Sequence, residues 1–201
     1  MAEFRFDEDI LSARLRPLPA YSKGLFAWLV ALRILPAYRR FHTKTGRGDA
    51  AALRALSERL WRDLQGDTMT EDELQAAADL ALRLVPSEDE GWDDETQANA
   101  EDAASALHYA LRARAEDDAQ LAAWSARCAY STFDYLVAQA HDSFTPATEV
   151  AILEHSLVQS ELARQQQDLE DIIELTVTSA PVLAYLPLRE RSETLATKLW
   201  G

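Results

Sequence analysis

Between Ser22 and Leu35 the chain is apolar on nearly every face: Leu25, Phe26, Trp28, Leu29, Leu32, Ile34 and Leu35 leave no continuous polar stripe. A helix of that kind is stable only where something apolar surrounds it. A membrane does not serve, because the run from Gly24 stops at Arg33, well short of the roughly 20 residues a span needs. The rest of the chain must therefore supply the wrapping. Alanine and leucine fill roughly a third of the 201 residues, which favours helices. Only 6 glycines and 7 prolines are present, too few turn-formers for a sandwich or barrel.

The punctuation divides the chain into helices. A short amphipathic helix is expected at Phe6–Leu15, closed by Pro17 and Pro19. Pro36 starts a new helical turn, with Tyr38 and Phe41 inward and Arg39 and Arg40 outward. Gly46 suits a left-handed cap, and Asp49 suits the N-cap of a helix running to about Gln65. Leu53, Leu56, Leu60, Trp61 and Leu64 form its single apolar stripe. Thr70 and Glu73 make a capping box for the next helix, which Pro86 closes. An alanine-rich helix follows over about Gln97–Arg114, then one with Leu121, Trp124, Cys128, Phe133 and Leu136 on its core face.

Thr145 and Pro146 read as N-cap and first helical residue. No breaker follows until Pro181, so about 30 residues read as one helix roughly 45 Å long. Its polar middle, Ser160 to Gln167, reads as protruding from the bundle. The tail from Pro181 breaks again at Pro187 and ends in an amphipathic stretch with Leu195, Leu199 and Trp200. No segment alternates as a strand does. The expectation is an all-α, single-domain bundle of about seven or eight helices with one long C-terminal helix. The domain spans residues 1–201, with 181–201 as an appended tail.

One cysteine, Cys128, excludes an internal disulfide. The opening MAEFRFDEDI has no basic stretch followed by an apolar run, so a cytoplasmic protein is expected. The formal net charge is −14. Residues 1–48 carry nine Lys/Arg against four Asp/Glu, and residues 49–201 carry eleven against thirty. That balance disfavours binding to nucleic acid or anionic lipid and suits a basic protein partner. Homo-oligomerisation stays open.

The stretch Leu11–Leu64 resembles the YjaG-like family of small bacterial proteins, a domain of unknown function. The carrying residues are Arg14 and Leu15, Phe26, Leu29 and Arg33, then Pro36, Tyr38 and Phe41. Thr45-Gly46-Arg47-Gly48-Asp49 and Leu60-Trp61 follow. Pro86-Ser87 with its acidic residues, and Asp102-Ala103 with Ala106-Leu107, continue the likeness to about Leu175. The tail after Pro181 extends past that pattern. The resemblance implies an all-helical fold and no established activity.

Candidate chemistry is sparse. Thr45–Asp49, with Arg39, Arg40, Lys44 and Arg47 nearby, reads as an anion site at a helix N-terminus. No Gly-Lys-Ser/Thr follows, so it is not a P-loop, and punctuation between helices is the plainer reading. The four histidines, His42, His108, His141 and His155, lack the Glu-x-x-His spacing of di-iron bundles. His108, His141-Asp142 and Asp168 share the order of helical phosphohydrolases of the His-Asp type, but further ligands are missing. Asp168, Asp171 and Glu174 step along one helix face, where a solvated acidic face competes with a metal site. No cofactor is expected.

The acidic loop Ser87–Glu95 is the candidate partner surface. Glu88, Asp89, Glu90, Asp93, Asp94 and Glu95 surround Trp92, an aromatic inside a charged rim. The expected function is that of a non-enzymatic helical protein that binds another protein, as immunity proteins, antitoxins or regulators do. The alternative is a metal-dependent helical hydrolase using the clustered carboxylates.

Overall fold

The computed structural model describes residues 4–87, 96–143 and 145–200. These form nine α-helices with no strand among the described residues. They are α1 Glu8–Leu15, α2 Ala20–Thr45, α3 Ala50–Leu64, α4 Glu71–Arg83 and α5 Gln97–Glu116. Then come α6 Ala119–Ala138, α7 Pro146–Glu154, α8 Ser156–Val177, a 3-10 turn Val182–Tyr185 and α9 Leu186–Trp200. The all-α bundle is as expected, with one helix more than the upper count.

α2 is the axis. Phe26, Trp28, Leu29 and Ile34 are wholly buried, and α3, α5, α6, α8 and α9 pack on it. Leu32 is the exception, half-buried beside a groove. Gly24 marks the tightest approach: a Cβ there would stand 2.7 Å from the Cβ of Arg114 on α5. The alanines of α5, among them Ala100, Ala103, Ala104 and Ala110, are fully buried and let neighbouring helices close in. On the other side Ser125 Oγ of α6 donates to the Ala27 carbonyl at 3.0 Å.

Pro36 does not start a separate turn; it lies inside α2. Its missing N–H leaves the Leu32 carbonyl without its usual donor, a penalty of about 3 kcal/mol in a free helix. Here Ile34, Ala37 and Tyr38 on both sides are buried, and that packing holds the helix through the proline. Tyr38 and Phe41 face inward and Arg39 and Arg40 outward, as their spacing predicts.

The caps follow the sequence closely. Gly46 has φ 71° and its N–H donates to the His42 carbonyl. Asp49 accepts from Ala52 N at 2.8 Å. Thr70 and Glu73 make both bonds of the capping box. Thr145 accepts from Thr148 N at 3.2 Å.

The long C-terminal helix is divided. His155 takes an extended backbone, ψ 137°, and its Nδ1 accepts from Leu157 N at 3.2 Å to cap α8. The groups freed by the break are met from elsewhere. Gln159 Nε2 donates to the Leu153 carbonyl at 2.9 Å and to the Phe4 carbonyl at 2.8 Å. Phe4 N–H returns a bond to Gln159 Oε1 at 2.8 Å. Gln159 thus ties the break to the start of the chain, and no local breaker announces it.

Two further expectations change. The polar middle of α8 does not protrude, since Glu161, Leu162 and Gln165 are buried. α9 packs against α2, burying Leu188, Ser192 and Ala196.

Candidate functional site

Arg33, the charge that interrupts the apolar run of α2, is wholly buried. Its Nε and Nη2 donate to the two carboxylate oxygens of Glu161, both at 2.8 Å. Its Nη1 donates to Asp168 Oδ2 at 2.8 Å and to the Leu29 carbonyl at 3.1 Å. Burial by itself lowers an arginine's pKa; Glu161 and Asp168 outweigh it and hold Arg33 above the ordinary value, so it stays charged. Glu161 and Asp168 stand seven residues apart on α8, two turns along one face. The network extends outward: Arg164 Nε lies 3.0 Å from Asp168 Oδ1, and Arg191 of α9 pairs with Asp171. Trp200 Nε1 donates to the Arg33 carbonyl at 3.0 Å, tying the end of α9 to α2.

The solvated acidic face expected along Asp168, Asp171 and Glu174 is therefore wrong for two of its members. Asp168 is wholly buried and Asp171 is half-buried, both held by arginines; Glu174 alone is exposed. Among the described residues no group of three or more His, Cys, Asp or Glu is placed to hold a metal ion. His108 Nδ1 lies 2.9 Å from the Ala78 carbonyl, while His141 and Asp142 are exposed.

Beside this network a groove of about 720 Å3 opens between α2, α3 and α9. α2 contributes Leu35, Pro36, Arg39 and His42, and α3 contributes Leu53 and Arg54. Glu58 of α3 and Glu193 and Ala196 of α9 complete it. Arg189 stitches the walls together: Nη2 donates to Glu58 at 2.9 Å and Nε to Glu193 at 2.7 Å. Its guanidinium lies 5.7 and 5.2 Å from the ring centroids of Trp28 and Trp61, which stack on each other at 4.7 Å. Those cation–π contacts seat the guanidinium against the tryptophan pair.

Of the four basic residues expected to form an anion site, Arg39 lines this groove. Arg40, Lys44 and Arg47 are exposed at the end of α2 and in the turn after it. The turn itself has a packing duty. Gly48 has φ 68°, and a Cβ there would run into the Tyr38 hydroxyl. That hydroxyl donates to the Leu84 carbonyl at 2.7 Å and accepts from Asp49 N at 3.3 Å. The candidate partner residues Glu88, Asp89, Glu90, Trp92, Asp93, Asp94 and Glu95 lie outside the described residues.

Asp102 is a half-buried carboxylate with no ion pair among the described residues. Burial lifts the Asp102 carboxyl to about 7, against the pull of a hydrogen bond from Thr132 Oγ1 at 3.1 Å. Burial likewise pushes the Cys128 thiol well above its usual range, which suppresses the reactive thiolate.

Sequence reasoning read Arg33 as the end of an apolar run and as part of a family pattern, and gave it no partner. The signal was present: a lone charge in a buried helix demands opposite charge from elsewhere. The spacing Glu161, Gln165, Asp168 and Ile172 also follows a helical face, but a polar one, which hydrophobic periodicity does not register.

A family model described as "Protein of unknown function (DUF416)" matches residues 11–194. The likeness thus reaches past Leu175 and takes in most of α9. The crystal structure of a DUF416 family protein from Shewanella baltica OS155 superposes with a TM-score of 0.74 at 22% identity. The match covers 90% of this chain and 92% of that one, and shows the fold. No curated protein matches the chain.

Proposed function

The chain belongs to the DUF416 family of proteins of unknown function, and from that premise we propose that it is a non-catalytic, YjaG-like bacterial protein that acts in the cytoplasm by binding a basic protein partner. The observation that supports this is where the charge goes. Five arginines are tied to carboxylates within the fold: Arg33 and Arg164 to Asp168, Arg114 to Asp63, Arg189 to Glu58 and Glu193, Arg191 to Asp171. Those cations meet at least as many carboxylates and cancel with them, so most of the net charge of −14 falls on the other residues. Glu71, Asp72 and Asp79 on α4 and Glu149 and Glu154 on α7 are exposed. Such a surface steers a basic partner and repels nucleic acid.

The test is crosslinking in the native host, followed by binding of the identified protein in pure form. The partner is expected to be basic, and its association rate to fall steeply with added salt. Changing Asp93, Asp94 and Glu95 to their amides slows association without altering stability, and Trp92→Ala speeds dissociation. A partner whose association ignores both salt and these changes would overturn the reading.

A further inference from the structure

We propose that the groove between α2, α3 and α9 binds a small amphipathic monoanion: an apolar body carrying one carboxylate-like head. The floor is apolar, with Leu35, Pro36, Leu53 and Ala196. The two acidic residues in the wall, Glu58 and Glu193, share Arg189, which offsets one of their two charges. Across the groove Arg39 and Arg54 are exposed and make no ion pair among the described residues. Arg39 and Arg54 outweigh the one carboxylate charge that Arg189 leaves over, so the side-chain charge of this groove is net positive, in a chain whose net charge is −14.

Guanidinium groups above an apolar floor match a carboxylate head on an apolar body, because the planar fork takes both oxygens at once. The groove's volume of about 720 Å3 falls in the range of ligand-sized pockets, about 300–1,000 Å3. The overall charge narrows the class. Long-range repulsion grows with the charge of the ligand, whereas burial of an apolar body does not depend on it. A polyphosphate or nucleic acid meets the full repulsive field, and a monoanion meets the least of it. This inference concerns the groove alone and stands apart from the proposed protein partner.

The experiment is calorimetric titration of the full chain with dodecanoate, with dodecyltrimethylammonium and acetate as contrasting probes. Dodecanoate is expected to fill a single saturable site, and neither other probe to do so. The double variant R39Q/R54Q is expected to weaken binding by at least about tenfold with an unchanged melting temperature, since both side chains are exposed. Ala51 is exposed and lines the groove, so Ala51→Phe is expected to block it while the helix persists. Absence of saturable dodecanoate binding would overturn the proposal. So would binding that survives both sets of changes, or equal binding of the cationic probe.

Discussion

The first half of α2 and the middle of α8 are both buried, and by opposite means. From Leu25 to Ala31, α2 sinks into the bundle as an unbroken apolar surface met by the alanines of α5. From Glu161 to Asp168, α8 is buried as charge, its carboxylates closed around Arg33. Apolar burial is non-directional and roughly proportional to area, so it can be read from one segment alone. Charge burial is stable only when the opposite charge arrives in the right geometry. Here that charge lies more than 120 residues away in the chain. The lesson is that a polar stretch of helix is not thereby a surface.

Five variants sharpen the contrast, and the largest effect falls on the charged side. Asp168→Ala removes one of the two carboxylates around Arg33 and the near partner of Arg164, and is expected to cost about 3–5 kcal/mol in urea unfolding. Replacing Arg33, Glu161 and Asp168 together by Met, Leu and Leu is expected to recover part of that loss, because no buried charge then lacks its partner. A triple variant no more stable than Asp168→Ala would break the comparison. On the apolar side Leu29→Ala is expected to cost about 2–5 kcal/mol, set by how far the cavity collapses. A hydrophobic interior predicts that this loss stays the same at high salt.

Asp102 supplies the intermediate case, a half-buried carboxyl with no ion pair among the described residues. Its folded pKa, about 7, lies above that of the unfolded chain. The folded state keeps a proton that the unfolded state releases from about pH 4 upward. Stability therefore falls as pH rises through that window and levels off above 7. Asp102→Asn is expected to remove the fall and to leave the variant about 1–3 kcal/mol more stable than the parent above neutrality. Unfolding curves across pH check this, and parallel curves for the two proteins would refute it. The smallest effect is at the glycine turn, where Asp49→Ala removes the cap of α3 and is expected to cost about 1 kcal/mol by thermal unfolding.

The helices were legible because their signals are local. Asp49, Thr70 and Thr145 bond to backbone two or three residues away, and those caps stand as the sequence places them. The candidate site was legible only in fragments. Arg39 was singled out, but with Arg40, Lys44 and Arg47, its neighbours in sequence. The fold sets it instead beside Arg54 and the wall from α9, across one groove.

What the sequence by itself determined is the all-α class, the central burial of α2 and the capping of α3, α4 and α7, since each depends on residues within a turn or two. The tertiary structure decided the rest. Pro36 stays within α2 because its neighbours are packed. The break at His155 is tied through Gln159 to Phe4, and the polar face of α8 turns inward because Arg33 waits there. Each of these outcomes depends on a partner distant in the chain, and a local pattern carries no record of which distant residue will supply it.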